Sequence, residues 1–140
     1  MRAGCYTAII TPFTSTSVDY EGLEQLVRFQ IQNGITGILA VGTTGESPTL
    51  NWDEHNRVIG EVAANSKNKC ACIAGTGSNN TNETILATEH AVDAGVDVPF
   101  LGPVGALNLA LGLSLGLGIL LIGLGAIHWA HKLMPGTEVV

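Results

Sequence analysis

Gly34-Ile35-Thr36-Gly37-Ile38-Leu39-Ala40-Val41-Gly42-Thr43-Thr44-Gly45-Glu46-Ser47 is the stretch from which the fold is read. Gly34 stands where a helix stops, because glycine accepts the left-handed backbone that closes a last turn. Ile35 to Val41 is an apolar run without alternation, as a strand covered on both faces requires. Gly42 to Glu46 follows as a tight polar loop.

The same grammar repeats on either side. Upstream, Asp19 is placed to cap a helix over Tyr20 to Gln32, with Leu23, Leu26, Val27 and Ile31 at helical spacing. Before it, Cys5 to Ile10 reads as a short buried strand ended by the turn signal Thr11-Pro12. Downstream, Asn51 caps a helix over Trp52 to Ala64 whose inner face carries Val58, Ile59 and Val62. Cys70 to Ala74 is a third strand. Thr81 opens a third helix with Ile85, Leu86, His90 and Val92, stopped near Gly95. Strand and helix alternate, and the strands are apolar throughout, so parallel βαβ units are expected. A fourth strand is due near Val96, but Pro99 is poor in a central strand, and no fourth unit is predicted.

Composition divides the chain at Asp97. Residues 1–97 hold eleven of the twelve acidic and five of the six basic side chains, and so carry the net charge of −6. That balance excludes a nucleic-acid partner, which needs a basic face against phosphate. Cys5, Cys70 and Cys72 have no framework spacing, which implies reduced thiols and a cytosolic origin for 1–97. The first ten residues lack the apolar core of a signal peptide. From Val98 to Ile127 there is no charged side chain, and Asn108 and Ser114 are the clearly polar ones. About 20 apolar residues suffice for a helix to cross a bilayer core. Gly112 and Gly116 form a GxxxG pair suited to close helix approach. His128, Trp129, His131 and Lys132 form an interfacial end. The expected division is 1–97, a partial (β/α) barrel; 98–134, a transmembrane helix with its interfacial end; and 135–140, a short tail. The partners expected for 98–127 are membrane lipid or other membrane helices, and a single-span membrane location follows.

Several stretches carry a family resemblance: Gly4 to Phe13, Gly34 to Ile38, Gly42-Thr43-Thr44-Gly45-Glu46-Ser47, Ala74 to Asn79, and Ala94 to Asp97. Together they resemble 4-hydroxy-tetrahydrodipicolinate synthase (dihydrodipicolinate synthase) and its N-acetylneuraminate lyase relatives, over about residues 2–97. The resemblance implies a (β/α)8 barrel that condenses pyruvate with aspartate semialdehyde in lysine biosynthesis, through a Schiff base on a lysine of a later strand. The fold class expected here is therefore α/β: an incomplete (β/α)8 barrel of about three βα units, followed by one transmembrane helix. By resemblance Thr43 belongs to the proton-relay hydroxyls and Thr44 helps to hold the pyruvate carboxylate. Both would sit at the C-terminal rim, where barrel active sites lie. Without the resemblance, a plain βα turn is the preferred reading of this loop. The family's Schiff-base lysine and catalytic tyrosines fall beyond the stretch of likeness. No tyrosine follows Asp97, and the one later lysine is Lys132. Lys67 and Lys69 precede a strand and belong to the opposite rim. Pyruvate binding is left open, no cofactor and no metal are expected, and no synthase activity is expected of the chain alone.

Residues 106–140 are similar to a membrane helix of the Rieske iron–sulfur subunit of actinobacterial cytochrome bc complexes, through Gly125 to Ala130, Leu133-Met134-Pro135 and Glu138-Val139-Val140. That similarity implies respiratory-complex subunits as partners. The cluster site itself is absent, since no cysteine follows Cys72. His128 and His131 are read as interfacial rather than as haem or metal ligands. Cys70 and Cys72 share a strand face but make no closed zinc site. His55 and His90 are read as surface or packing residues on helices. The leading reading is a chimera of a truncated pyruvate-dependent lyase and a membrane helix. The rivals are a synthase fragment active only when its missing strands are supplied, and the membrane-anchoring part of a Rieske-type subunit.

Overall fold

The computed structural model describes residues 2–102. Four strands and three helices alternate there: β1 (Tyr6–Ala8), α1 (Tyr20–Gln32), β2 (Gly37–Ala40), α2 (Trp52–Ser66), β3 (Ala71–Gly75), α3 (Thr81–Asp93) and β4 (Val98–Phe100), with a short 3-10 turn at Ser47–Thr49. The strands form one parallel sheet in the order β1-β2-β3-β4.

Each helix begins where a side chain satisfies the backbone donors that its first turn leaves free. The Asp19 carboxylate accepts from the Gly22 N–H at 2.9 Å. At α2 the exchange is reciprocal: Asn51 Oδ1 accepts from the Glu54 N–H at 2.9 Å, and Glu54 accepts from the Asn51 N–H at 3.1 Å, a capping box. Asn80 accepts from the Asn82 N–H at 3.0 Å. Gly34 (φ +78°) and Gly95 (φ +83°) lie just past the ends of α1 and α3. The core forms between sheet and helices: Ile38, Ala40, Cys72 and Ala74 from the strands, Leu23 and Val27 from α1, and Val58, Ile59 and Val62 from α2.

The three expected βα units form, but the expectation that no fourth strand follows them fails at β4. Val98, Pro99 and Phe100 pair in parallel with Ile73, Ala74 and Gly75. The Phe100 carbonyl accepts from the Thr76 N–H at 2.9 Å, so the peptide groups of Phe100 face β3. Those of Pro99, one residue earlier, face the open edge of the sheet, where a missing N–H forfeits no ladder bond. Asp97, immediately before β4, ties it to β3 twice. Its backbone N–H donates to the Cys72 carbonyl at 3.0 Å, and its carboxylate accepts from the Cys72 N–H at 2.8 Å.

The first residues of the expected transmembrane stretch are therefore strand and not helix, and the boundary at Asp97 is too early. By its contacts the chain divides into Met1–Ala106 and Leu107–Val140. From residue 103 on, the proposed span, the histidines of its interfacial end and the tail 135–140 lie outside the described residues. Among the described residues no helix is long and apolar enough to cross a membrane.

Candidate functional site

The loop that leaves β2 is built on a strained residue. Val41 has φ +46°, a conformation a β-branched side chain avoids at a cost of about 1–3 kcal/mol. Its surroundings enforce that conformation. The side chain is buried in the core, and the carbonyl is turned onto Gly75, where a Cβ would collide with the oxygen. A Cβ added at Gly45 would come within 3.1–3.2 Å of the Val41 backbone and the Ile9 carbonyl, tighter than an ordinary contact. The Gly45 N–H donates to the Gly42 carbonyl at 3.0 Å and the Glu46 N–H to the Thr43 carbonyl at 3.2 Å. Glu46 is itself left-handed (φ +55°). The loop is thus a locked turn with its glycines at the points of closest approach.

Thr43 and Thr44 are both exposed on that turn, at the C-terminal end of β2. Thr43 lines a cavity of about 530 Å³ together with Val41, Gly42, Ser47 and Pro48, residues from the start of α2, and the ends of β3 and β4. Thr44 is exposed outside that cavity. The structure therefore places both sequence-nominated threonines on the rim and brings one of them to the cavity wall.

The rest of the wall was not nominated by the sequence. His55, read from the sequence as surface or packing, is 4% exposed and stands edge-on to Trp52, ring centroids 5.1 Å apart. Its Nδ1 is buried without a hydrogen-bond partner among the described residues. Burial holds the imidazole below its ordinary pKa of 6.5, and the nearby His90 acts in the same direction, against hydrogen bonding to Asn56 and to the Gly75 backbone. Across the cavity, Glu83 accepts from the Ser78 hydroxyl at 2.6 Å, and Ser78 is held by Thr84 at the start of α3. Gly77 lies against the Leu101 carbonyl, where no side chain would fit. The signal for this wall was the capped start of α2 beside a glycine-rich β3–α3 loop. Which helix end meets which loop is decided by strand order, not by local pattern.

Among the described residues, the opposite rim gathers no comparable cluster of polar side chains. Lys67 and Lys69 lie there, before β3, as expected; the Lys69 ammonium donates to the Asn65 carbonyl at 3.0 Å. Cys70 and Cys72 are both buried. Burial pushes the Cys72 thiol up to about 11, with Asp97 adding to the rise against a hydrogen bond from Ser66. Among the described residues no group of three His, Cys, Asp or Glu side chains is placed to hold a metal ion.

Residues 1–103 match the family described as the dihydrodipicolinate synthetase family. Among curated proteins, the chain is 52% identical over 94 residues to the 4-hydroxy-tetrahydrodipicolinate synthase of Methanococcus aeolicus, covering 67% of this chain and 33% of that one. Among solved structures, the 4-hydroxy-tetrahydrodipicolinate synthase of Methylacidiphilum fumariolicum superposes with a TM-score of 0.68 at 45% identity, over 71% of this chain and 33% of that one. The chloride-inhibited dihydrodipicolinate synthase of Acinetobacter baumannii, complexed with pyruvate, gives 0.66 at 43% identity, over 69% and 33%. The chain spans about a third of the length of these relatives. The family match runs six residues past Asp97 and takes in β4.

Proposed function

The chain belongs, through residues 1–103, to the dihydrodipicolinate synthetase family, and from that premise we propose that this region is the opening portion of a pyruvate-condensing lyase barrel, active only when the remaining strands are supplied. The observation that carries this reading is the parallel sheet of four strands in sequential order, with the Gly42–Ser47 loop at its C-terminal rim. An eight-stranded barrel is such a sheet continued until it closes on itself, with its chemistry at that rim.

The roles follow from what each group can do. Among the described residues, neither the Thr43 nor the Thr44 hydroxyl has an intramolecular hydrogen-bond partner, so each is available to a ligand. A hydroxyl both donates and accepts, so Thr43 can pass a proton between neighbours without changing its own charge. Thr44 can donate to a carboxylate. Neither can form the Schiff base, which needs an amine desolvated enough to be unprotonated. That amine belongs to the strands beyond β4, so the described residues orient substrate and move protons and do not bond to it covalently.

The test is reconstitution. The chain is mixed with a separately produced remainder of a related synthase barrel, then treated with pyruvate and borohydride, and both polypeptides are weighed. The expected result is a pyruvyl adduct on the complementing piece that requires this chain, and none on this chain alone. An adduct that forms equally without this chain, or no adduct in the mixture, would overturn the reading.

A membrane role for the region after β4 is a separate proposal, carried by sequence. With β4 removed from the apolar run, Val104 to Ile127 remains charge-free, still enough for a bilayer core needing about 20 residues. The partners are then lipid or other membrane helices, including, by the Rieske similarity, those of a respiratory complex. Partition of the chain into the membrane fraction, lost on Leu117→Arg, is the expected outcome; a monodisperse detergent-free chain would refute it.

A further inference from the structure

We propose that Thr11 is a positioning residue for the Gly42–Ser47 loop, fixing from the end of β1 the direction in which Thr43 and Thr44 are presented. The inference rests on the reading of that loop as a substrate-facing rim, and adds to it a residue outside the loop.

Thr11 is 3% exposed and follows β1 at its C-terminal end. Its hydroxyl donates to the Gly45 carbonyl at 2.7 Å, a buried bond between residues thirty-four apart in sequence. Gly45 is the midpoint of the loop. Its own N–H is taken by Gly42, and a Cβ added there would crowd Val41 and the Ile9 carbonyl. The Thr11 bond therefore satisfies the loop's buried carbonyl and ties the turn to β1, while β3 confines it from the other side through the contact of Gly75 with the Val41 carbonyl. Two restraints from two different strands meet on one short turn.

The turn needs them. Val41 (φ +46°) and Glu46 (φ +55°) bracket it in left-handed conformations, which persist only where neighbours over-determine them. With the Thr11 hydroxyl removed, the Gly45 carbonyl is left buried without that donor, and the turn gains by relaxing toward water. Thr11 itself is held independently of the loop. The Ile9 N–H bonds to the Leu39 carbonyl at 3.0 Å, and the Asp19 N–H to the Pro12 carbonyl at 2.8 Å, so residues on both sides of Thr11 are anchored. The anchor is rigid and the turn is strained, which is the arrangement by which one bond can set the direction of two exposed hydroxyls.

Amide hydrogen exchange on the full 140-residue chain tests this without requiring activity, so its outcome is independent of the reconstitution experiment. Thr11→Val preserves shape and removes the donor; Thr11→Ser preserves the donor. The expected result for Thr11→Val is exchange roughly tenfold faster or more at the Gly45, Glu46 and Ser47 amides, from loss of one buried hydrogen bond. The Val58–Val62 amides in α2 should be unchanged, and Thr11→Ser should restore protection to the loop. Equal acceleration in α2 would show that Thr11 supports the fold at large rather than the loop. Unchanged loop exchange in Thr11→Val, or failure of Thr11→Ser to restore it, would also overturn the proposal. If Thr11→Val does not fold, Gly75→Ala, which presses on the same turn from β3, takes its place. It should loosen the same amides, and their unaltered protection in a folded Gly75→Ala chain counts against the two-restraint account.

Discussion

Helices α2 and α3 are nearly equal in length and are both capped by an asparagine, yet they are buried very differently. The inward face of α2 commits His55, Val58, Ile59, Val62, Ala63 and Ser66. α3 buries only Thr84, Ala87 and Ala91, and leaves Ile85, Leu86 and Val92 at 45%, 64% and 58% exposure. α2 has a helix on either side of it, and α3 has α2 on one side. The sheet shows the same gradient: β2 and β3 are flanked on both edges, while β4 pairs on one edge and leaves Phe100 47% exposed. Among the described residues, the final helix and strand thus keep apolar surface that a covering element would bury. The contrast therefore separates residues that stabilise this sheet from residues that the described part of the chain leaves uncovered.

The largest expected effect breaks the contrast at its buried end. Ile59→Ala, at a fully buried position, should cost about 2–5 kcal/mol, while Leu86→Ala should stay within about 0.5 kcal/mol, both read from denaturation midpoints. Equal losses would mean that α3 is as well packed as α2. Next in size is the cap. Asn51→Ala removes a reciprocal pair of bonds and should cost about 1 kcal/mol. Asn80→Ala removes one bond at a helix that contributes less burial, and a larger loss there would reverse the ranking of the two helices.

A smaller effect depends on pH. In the folded state His55 is held below its ordinary 6.5 by burial, so the folded chain binds fewer protons than the unfolded one just below that value. Above 6.5 both states are neutral and the contribution is complete. As pH falls below 6.5 the unfolded state is protonated first, and stability is lost until pH passes the lowered folded value. The native chain should therefore lose stability more steeply between pH 7 and 5 than His55→Gln, measured by denaturant midpoints; parallel slopes would remove His55 as the cause. The smallest effect is chemical. At pH 8 iodoacetamide should label exposed Cys5 and spare Cys72, whose thiol is pushed up to about 11 by burial. Rapid labelling of Cys72 in the native chain would show β3 to be less enclosed than its neighbours imply.

Much of the fold was legible because its signals are local. Asp19 and Asn51 announce helix starts through a side chain that reaches three residues ahead, and Gly34 and Gly95 mark stops through backbone freedom. The first three strands were found, but the first two were drawn too wide and the third one residue early: Ile35 and Val41 are apolar like strand residues, yet ladder pairing in β2 runs only from Gly37 to Ala40. β4 was missed because the penalty on Pro99 depends on which way its peptide faces, and periodicity cannot report that. For the candidate site, the threonine pair was nominated by family resemblance, while His55 and Glu83 went unnominated because strand order brings their helix starts to one cavity, and Thr11 because its bond joins residues thirty-four apart.

The amino-acid order by itself determined the alternation of buried strand and capped helix, the acidic character of the first 97 residues, the charge-free run after them and the family to which the opening stretch is similar. These depend on composition and on neighbours a few residues apart. Only the tertiary structure decided that a fourth strand forms, that Val41 is forced left-handed, and that Thr11 and Gly75 meet the same turn from different strands. Those outcomes depend on parallel register, which joins residues about thirty positions apart, and no local pattern encodes which of them will touch.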